Sequence, residues 1–308
     1  MYESIDDLMP KKIYARALDP IHIGAGGYRL GRVDNTIVRD PATNVPKIPG
    51  TSIAGIVRAY AEIVKEENKE GSDADKKPEN VNIEDVFGTE TKKGILRFYD
   101  GQILFFPVSS VQGTVWITTK ELIEYWFIEY WFEDKDGEKI KIPDEITDKA
   151  YAIKGIDISK PLNLGWLLLE VEGVNKEKEI VLPLGVGRWV KRIVVVSDKL
   201  FSHIVNDNLE VRTSVRIDPS TGTAAEGALF TYEAIPRGTV FGFEIGVDKT
   251  MARQRSRGNN VVDEIIRAVT PYIKNLGIGG MGTRGFGRLE LLLGSLSDTN
   301  TEEGGINA

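Results

Sequence analysis

Strand, helix, two strands, helix and strand follow one another along this chain, which predicts an α+β fold. Three observations carry that prediction. β-Branched and apolar residues alternate roughly over Lys12–Gly24 (KIYARALDPIHIG). Apolar residues then recur at helical spacing through Ile53, Ile56, Val57, Tyr60, Ile63 and Val64, and again through Val262, Ile265, Ile266, Val269 and Ile273.

Taken in order, Lys12–Gly24 reads as a first strand entering a glycine-rich loop. After Pro49 and Gly50, Thr51 or Ser52 is placed to cap the first helix, because a hydroxyl accepts one of the free first-turn N–H groups. Lys65 to Lys93 is polar, contains Gly71 and Pro78, and reads as an exposed insertion broken by an apolar patch at Val86 and Phe87. Gly94–Val108 and Thr114–Thr118 read as two strands. Thr118 and Glu121 form a capping box for a helix containing Leu122, Tyr125, Trp126, Ile128 and Phe132. Aromatic faces can stack on unpaired bases, but this helical spacing is better explained by core packing or a subunit contact. Further strands are expected at Leu164–Val171, Arg192–Ser197, Leu209–Ile217, Gly227–Ile235 and Thr239–Val247. A second long helix spans Asn259–Asn275, with Pro271 kinking it or restarting its last turn, and Gly287–Leu293 closes the chain as a strand. Residues 133–190 match no motif. The β-α-β-β-α-β order is that of ferredoxin-like folds, here one domain with its core at 11–294, large insertions and an acidic tail after residue 296. RNA-recognition (RRM-like) folds share that topology, although fold alone does not decide function.

Composition narrows the classes. The chain has 308 residues and 41% hydrophobic content, enough for one substantial core, with a 28% charged fraction ordinary for a soluble protein. No apolar run reaches the roughly 18 residues that suggest a membrane span. The opening MYESIDDLMP lacks the basic-then-apolar secretory pattern, so a cytoplasmic location is expected. Cysteine is absent, which excludes disulfides and thiol chemistry. With only His22 and His203 beside carboxylates, a structural zinc site is not expected. A net charge of -7 argues against gripping free nucleic acid by overall charge. Arginine nevertheless gathers at Arg188 and Arg192, Arg212 and Arg216, Arg253 to Arg257, and Arg284 to Arg288. Separated clusters on an acidic chain suit a groove that follows one strand inside a larger assembly; solvated surface arginines are the plainer alternative.

Gly277–Gly287, GIGGMGTRGFG, contains the G-x-G-x-x-G spacing of dinucleotide-binding loops, but it follows a helix and precedes a strand, the reverse of what such a loop needs. Its glycines, with Arg284 and Arg288, could cradle RNA phosphates, or it could be a purely structural turn. Near the N-terminus, His22 leads through a glycine-rich loop to Asp34, Asn35 and Arg39. Cleavage of RNA by its own 2'-hydroxyl needs a proton acceptor or metal and positive charge beside the phosphate. Asp34 could supply the former and Arg39 the latter, yet Asp34 and Asn35 also favour ordinary turns. His203, in KLFSHIVND, reads as helical and structural.

Five segments together, HIGAGGYRLGRVDNTIVRD, IPGTSIAGIVR, GILRFYDGQILFFPV, GALFTYEAIPRGTVF and GIGGMGTRGFGRLEL, resemble the RAMP superfamily of CRISPR effector proteins. The pattern is most similar to subunit four, the repeated backbone subunit of type III-B Cmr complexes; VRIDPSTGTA is similar to the Csm backbone subunit three. The resemblance implies copies stacked in a helical filament along a crRNA guide, beside other Cmr subunits, in antiviral defence. Each copy carries a ferredoxin-like palm and a β-hairpin thumb, here about 209–236, that interrupts the guide-target duplex. Target RNA is then cut at regular intervals by an endoribonuclease activity that needs a divalent metal ion, Mg2+ or Mn2+. By resemblance Asp34 matches the cleaving aspartate and metal ligand, His22 the histidine of the same loop, and Glu233, with Tyr232 beside it, an acidic residue bearing on cleavage. Arg39, Lys47, Arg58, Arg192, Arg212, Arg216, Arg253, Arg255 and Arg284, with Gly279 and Gly280, are the expected RNA contacts. A non-catalytic crRNA-binding scaffold using the same groove is the alternative. A nucleotide-dependent oxidoreductase or transferase rests on the glycine spacing alone.

Overall fold

The computed structural model describes residues 9–26, 33–69, 82–127, 142–174, 182, 185–218, 220–255 and 260–292. In chain order these form β1 (Lys11–Ala17), α1 (Gly50–Lys69), α2 (Ile83–Phe87), β2 (Leu96–Phe98), β3 (Gln102–Ser110), β4 (Gly113–Thr118) and α3 (Lys120–Phe127). There follow β5 (Ala150–Lys154), β6 (Leu162–Leu164), β7 (Leu167–Leu169), β8 (Val171–Gly173), α4 (Val186–Trp189), β9 (Ile193–Val195) and α5 (Asp198–Asp207). The remainder is β10 (Glu210–Ile217), β11 (Ala224–Ala234), β12 (Val240–Val247), α6 (Lys249–Gln254), α7 (Val261–Asn275) and β13 (Leu289–Leu292). The mixed α/β character read from the sequence is present. Among the described residues no helix is long and apolar enough to cross a membrane.

The chain divides into two compact units, Met1–Ile103 with Asn208–Leu291, and Leu104–Asp207 with Leu292–Ala308. In the first, the sheet runs β13-β1-β12-β2. β1 and β12 are antiparallel, with Ile13 opposite Phe243 and Ala15 opposite Phe241, and β2 is antiparallel to β12. α1 and α7 pack together. Ile53 and Val57 of α1, Ile273 of α7 and Phe241 and Phe243 of β12 line one small apolar cavity, so both helices close on the sheet. Each such side chain contributes about 1.5–3 kcal/mol when fully withdrawn from water. In the second unit the order β3-β4-β9-β5-β8 is mixed, with β4-β9 and β5-β8 parallel and β3-β4 and β5-β9 antiparallel. β10 and β11 form a separate two-stranded hairpin, and so do β6 and β7.

Several local expectations need correction. Neither Thr51 nor Ser52 begins α1. The helix begins at Gly50, whose N–H donates to Asp100 Oδ1 at 2.8 Å, so a carboxylate fifty residues later supplies the cap. Gly94–Val108 is two strands, interrupted between β2 and β3 where Gly101 bridges to Ile48 and Asp100 reaches the Gly50 N–H. The hydroxyl at the start of α3 is that of Thr119, which accepts from Leu122 N–H at 3.3 Å, while Thr118 is fully buried at the end of β4. Ile128 and Phe132 lie outside the described residues. Leu164–Val171 is not one strand: Gly165 turns β6 back on β7, and the chain resumes as β8. Residues 150–189, without a recognisable motif, supply four strands and a short helix. α7 stays continuous through Pro271. The polar insertion contains the end of α1 and all of α2, with 70–81 outside the described residues, as is the tail after 292.

Candidate functional site

β11 is paired with β10 along one edge, where Tyr232 faces Arg212, and along the other it receives the loop after residue 33. Asn35 N–H donates to Thr231 O, and Glu233 N–H donates to Asn35 O, both at 3.0 Å, so the loop adds to β11 as one step of parallel strand. Successive strand side chains point to opposite faces. Thr231 and Glu233 therefore serve the loop, while Tyr232 serves a different set of neighbours.

Asp34 is held by Thr231 alone among the described residues. Its Oδ2 accepts from the Thr231 N–H and from the Thr231 hydroxyl, each at 2.8 Å, and its own N–H donates to Thr231 Oγ1 at 2.9 Å. These donors, the Thr231 backbone N–H first, hold the Asp34 carboxyl below the usual carboxylate range. The group is half-exposed. Two positions along β11, Glu233 Oε1 accepts from Arg39 Nη2 at 2.6 Å and Oε2 from the Ile37 N–H at 3.3 Å, while Arg39 Nη1 also donates to Ile37 O at 3.1 Å. This ion pair is largely shielded, the side chains being 12% and 22% exposed, so neither partner is a free surface charge.

On the other face, Tyr232 is buried and lies edge-on to the His22 ring, with centroids 5.8 Å apart at 87°. His22 is buried too. Its Nδ1 is 2.7 Å from Glu233 O, which fixes Nδ1 as the protonated nitrogen, since a carbonyl can only accept. The glycine turn completes this layer. Gly280 N–H donates to His22 O at 3.0 Å, and a Cβ on Gly279 would fall 2.5 Å from Ile23 Cδ1 and 2.6 Å from His22 O. Arg284 Nη1 donates to Tyr232 Oη at 2.6 Å, and its guanidinium carbon lies 5.4 Å from that ring's centroid. Arg212 is ion-paired with Glu210 and sits 4.8 Å over the Phe286 ring.

Asp34, His22, Tyr232, Glu233, Arg39, Arg212, Gly279, Gly280 and Arg284 are thus linked through one hairpin base. The other expected cations lie apart from it. Lys47 is bonded to Asp100 at 2.7 Å and Asp40 at 3.5 Å, and that pairing raises its pKa. Arg58 pairs with Glu62 at 3.0 Å and donates to Gly88 O. Arg255 donates to Asp85 O at 2.6 Å and Lys93 O at 2.9 Å, stitching α6 to the α2 segment. Arg253 is exposed on α6, and Arg192 belongs to the second unit, just ahead of β9. Arg216 lies in β10, with its side chain outside the described set. His203 is helical and exposed in α5. Thr231 and Phe286 carried no sequence signal: a threonine between Phe230 and Tyr232 reads simply as strand.

No group of three His, Asp or Glu side chains converges among the described residues, so the protein does not offer a metal cage of its own there. One carboxylate with both its Thr231 donors on Oδ2 fits another mode, in which a Mg2+-sized ion keeps waters and is shared with substrate phosphates.

The family model of the RAMP superfamily matches residues 14–290. A Pyrococcus furiosus protein named CRISPR system Cmr endoribonuclease Cmr4 is 28% identical, covering 94% of this chain and 96% of its own. A Streptococcus thermophilus protein named CRISPR system Cms endoribonuclease Csm3 is 30% identical over 92 residues, 28% of this chain and 37% of its own. Among solved structures, a chain of a type III-B Cmr-beta complex bound to cognate target RNA superposes with a TM-score of 0.65 at 17% identity, covering 92% of this chain and 96% of that one. Oligomeric Cmr4 from Pyrococcus furiosus gives 0.59 at 22% identity, with 92% and 98% covered.

Proposed function

The chain belongs to the RAMP superfamily, and from that premise we propose that it is a backbone subunit of a cytoplasmic type III-B CRISPR effector that lies along crRNA and cuts the complementary target RNA. The observation that carries the reading is Asp34, a half-exposed carboxylate clamped to a hairpin base, in a chain similar along nearly its whole length to a named Cmr endoribonuclease. The sheet order β13-β1-β12-β2, fourth strand, first, third, second, supports a ferredoxin-like palm. The β10-β11 hairpin, a two-stranded sheet separate from the larger one, supports the thumb reading. The oligomeric relative supports stacking of copies along one guide.

In the proposed reaction the 2'-hydroxyl of one target nucleotide attacks the adjacent phosphorus. The O2'–P bond forms as the P–O5' bond breaks, the 2'-hydroxyl proton passing to solvent water and the departing O5' taking one from it, which leaves a 2',3'-cyclic phosphate and a 5'-hydroxyl. A divalent ion, when bound, supplies positive charge against that phosphate. Asp34 would hold such an ion from the protein side, its carboxyl ionised at neutral pH because the Thr231 donors favour the charged form. We assign His22, Tyr232 and Glu233 to holding the hairpin base, since each is bonded inside the protein. Arg284 and Arg253, both exposed, are assigned to RNA phosphates. Arg39, Lys47, Arg58 and Arg255, each bonded internally, are assigned to shaping the surface that meets RNA.

The test is cleavage of labelled target RNA by the reconstituted guide-loaded complex, wild type against Asp34→Ala, in magnesium and in chelator. Evenly spaced, metal-dependent cuts that vanish in Asp34→Ala are expected. Tight target binding without cuts in either protein would make the chain a scaffold.

A further inference from the structure

We infer that Thr231 is a positioning residue for cleavage, the group that aims the Asp34 carboxylate at the RNA. The inference rests on the reading of Asp34 given above. Every polar atom of Thr231 is bonded to the Asp34 loop. Its N–H and its hydroxyl both donate to Asp34 Oδ2, its hydroxyl oxygen accepts from the Asp34 N–H, and its carbonyl accepts from the Asn35 N–H. The Asn35 side chain adds a weaker bond to the same carbonyl at 3.4 Å.

The hydroxyl therefore closes a ring that starts and ends on Asp34. One hydroxyl hydrogen serves the carboxylate while a lone pair serves the amide, so the donors and acceptors balance without a third partner. A β-branched side chain on a strand has few χ1 options, which makes threonine a stiffer holder than serine. Both bonds fall on one carboxylate oxygen, fixing the plane and direction of the other. Tyr232 and Glu233 tie neighbouring points of the same strand to the glycine turn and to Arg39. Thr231 thus transmits the position of the hairpin base to the reacting carboxylate. If the hairpin meets the duplex at each interval, this contact sets where Asp34 stands relative to the exposed phosphate.

The experiment compares Thr231→Val, Thr231→Ser and Asp34→Ala in the assembled, guide-loaded complex. Valine keeps the shape and strand preference but lacks the hydroxyl; serine restores it. Thr231→Val should cut with a single-turnover rate lower by roughly 10- to 100-fold, the scale expected for misplacing a reacting group by about 1 Å. Target affinity should be unchanged, and Thr231→Ser should recover most of the rate. In metal-free complex, amide exchange at Asp34 should quicken in Thr231→Val and return towards wild type in Thr231→Ser. Thr231→Val cutting at the wild-type rate while Asp34→Ala is dead would overturn the positioning role alone. Loss of assembly or of target binding in Thr231→Val, or no recovery by serine, would likewise overturn it in favour of a general structural role. Normal cutting by Asp34→Ala would instead overturn the functional reading beneath it.

Discussion

The glycine turn at 277–287 and the loop at 33–39 both support the hairpin base, but they hold it through different atoms. In the turn, apart from Arg284 to Tyr232 and Tyr60 to Gly277, the bonds run between backbones: Ile278 N–H to Gly287 O at 2.9 Å, Gly280 N–H to His22 O and Gly287 N–H to Pro20 O, both at 3.0 Å. Gly277, Gly279, Gly285 and Gly287 have φ between 76° and 102°, a region that side chains disfavour. In the loop the load falls on side chains, Asp34 to Thr231 and Arg39 to Glu233. The turn is therefore sensitive to an atom added at its closely approached, positive-φ glycines, whereas the loop is sensitive to particular polar groups.

The largest expected effect probes the turn. Gly279→Ala sets a Cβ against Ile23 Cδ1 and His22 O at a φ of +76°, whereas the nearest atom to a Cβ on Gly282 is Leu276 O at 3.8 Å. Left-handed strain and overpacking together should cost Gly279→Ala about 2–5 kcal/mol, with little change for Gly282→Ala. Thermal melts of the two variants check this, and equal midpoints would break the contrast. A middle effect probes the loop. Glu233→Gln keeps shape but removes the charge facing Arg39, for a loss of about 1–3 kcal/mol. A double-mutant cycle with Arg39→Met should return a coupling energy of about 0.5–3 kcal/mol; additivity would show that the pair does not hold the loop.

The smallest effect is pH-dependent. The Asp34 carboxyl titrates below its ordinary value of 3.8 when folded, so its contribution is fully present above that value and is lost as pH falls through the lower folded pKa. Amide exchange at Thr231, corrected for intrinsic rate, should therefore be unchanged from neutral pH down to the ordinary carboxylate value of 3.8 and rise only below it. Loss of protection already at pH 5 would mean that another group holds the loop.

Much of the first unit was legible in the sequence because burial leaves a period. Val262, Ile265, Ile266, Val269 and Ile273 are all buried in α7, and Ile53, Val57 and Tyr60 are buried in α1. The site was legible only as a set of chemically capable residues. Asp100 capping Gly50 and Thr231 clamping Asp34 join positions 50 and 197 residues apart, and no local pattern records such pairs. Short strands in 150–173 escaped for a related reason: three-residue segments such as β6, β7 and β8 are too brief to establish a period of two. Glu233 and Arg39 were each singled out, but their use for one another was hidden by a separation of 194 residues.

The distance between Asp34 and Thr231 along the chain has a consequence for the newborn protein. A ribosome adds about 5–20 residues per second, so the interval between making the aspartate and making its clamp is roughly 10 to 40 s. Throughout that time the Asp34 loop lacks the strand that shapes it. Completion of the hairpin thus works as a timer, delaying a shaped loop until position 231 of the 308 has been made.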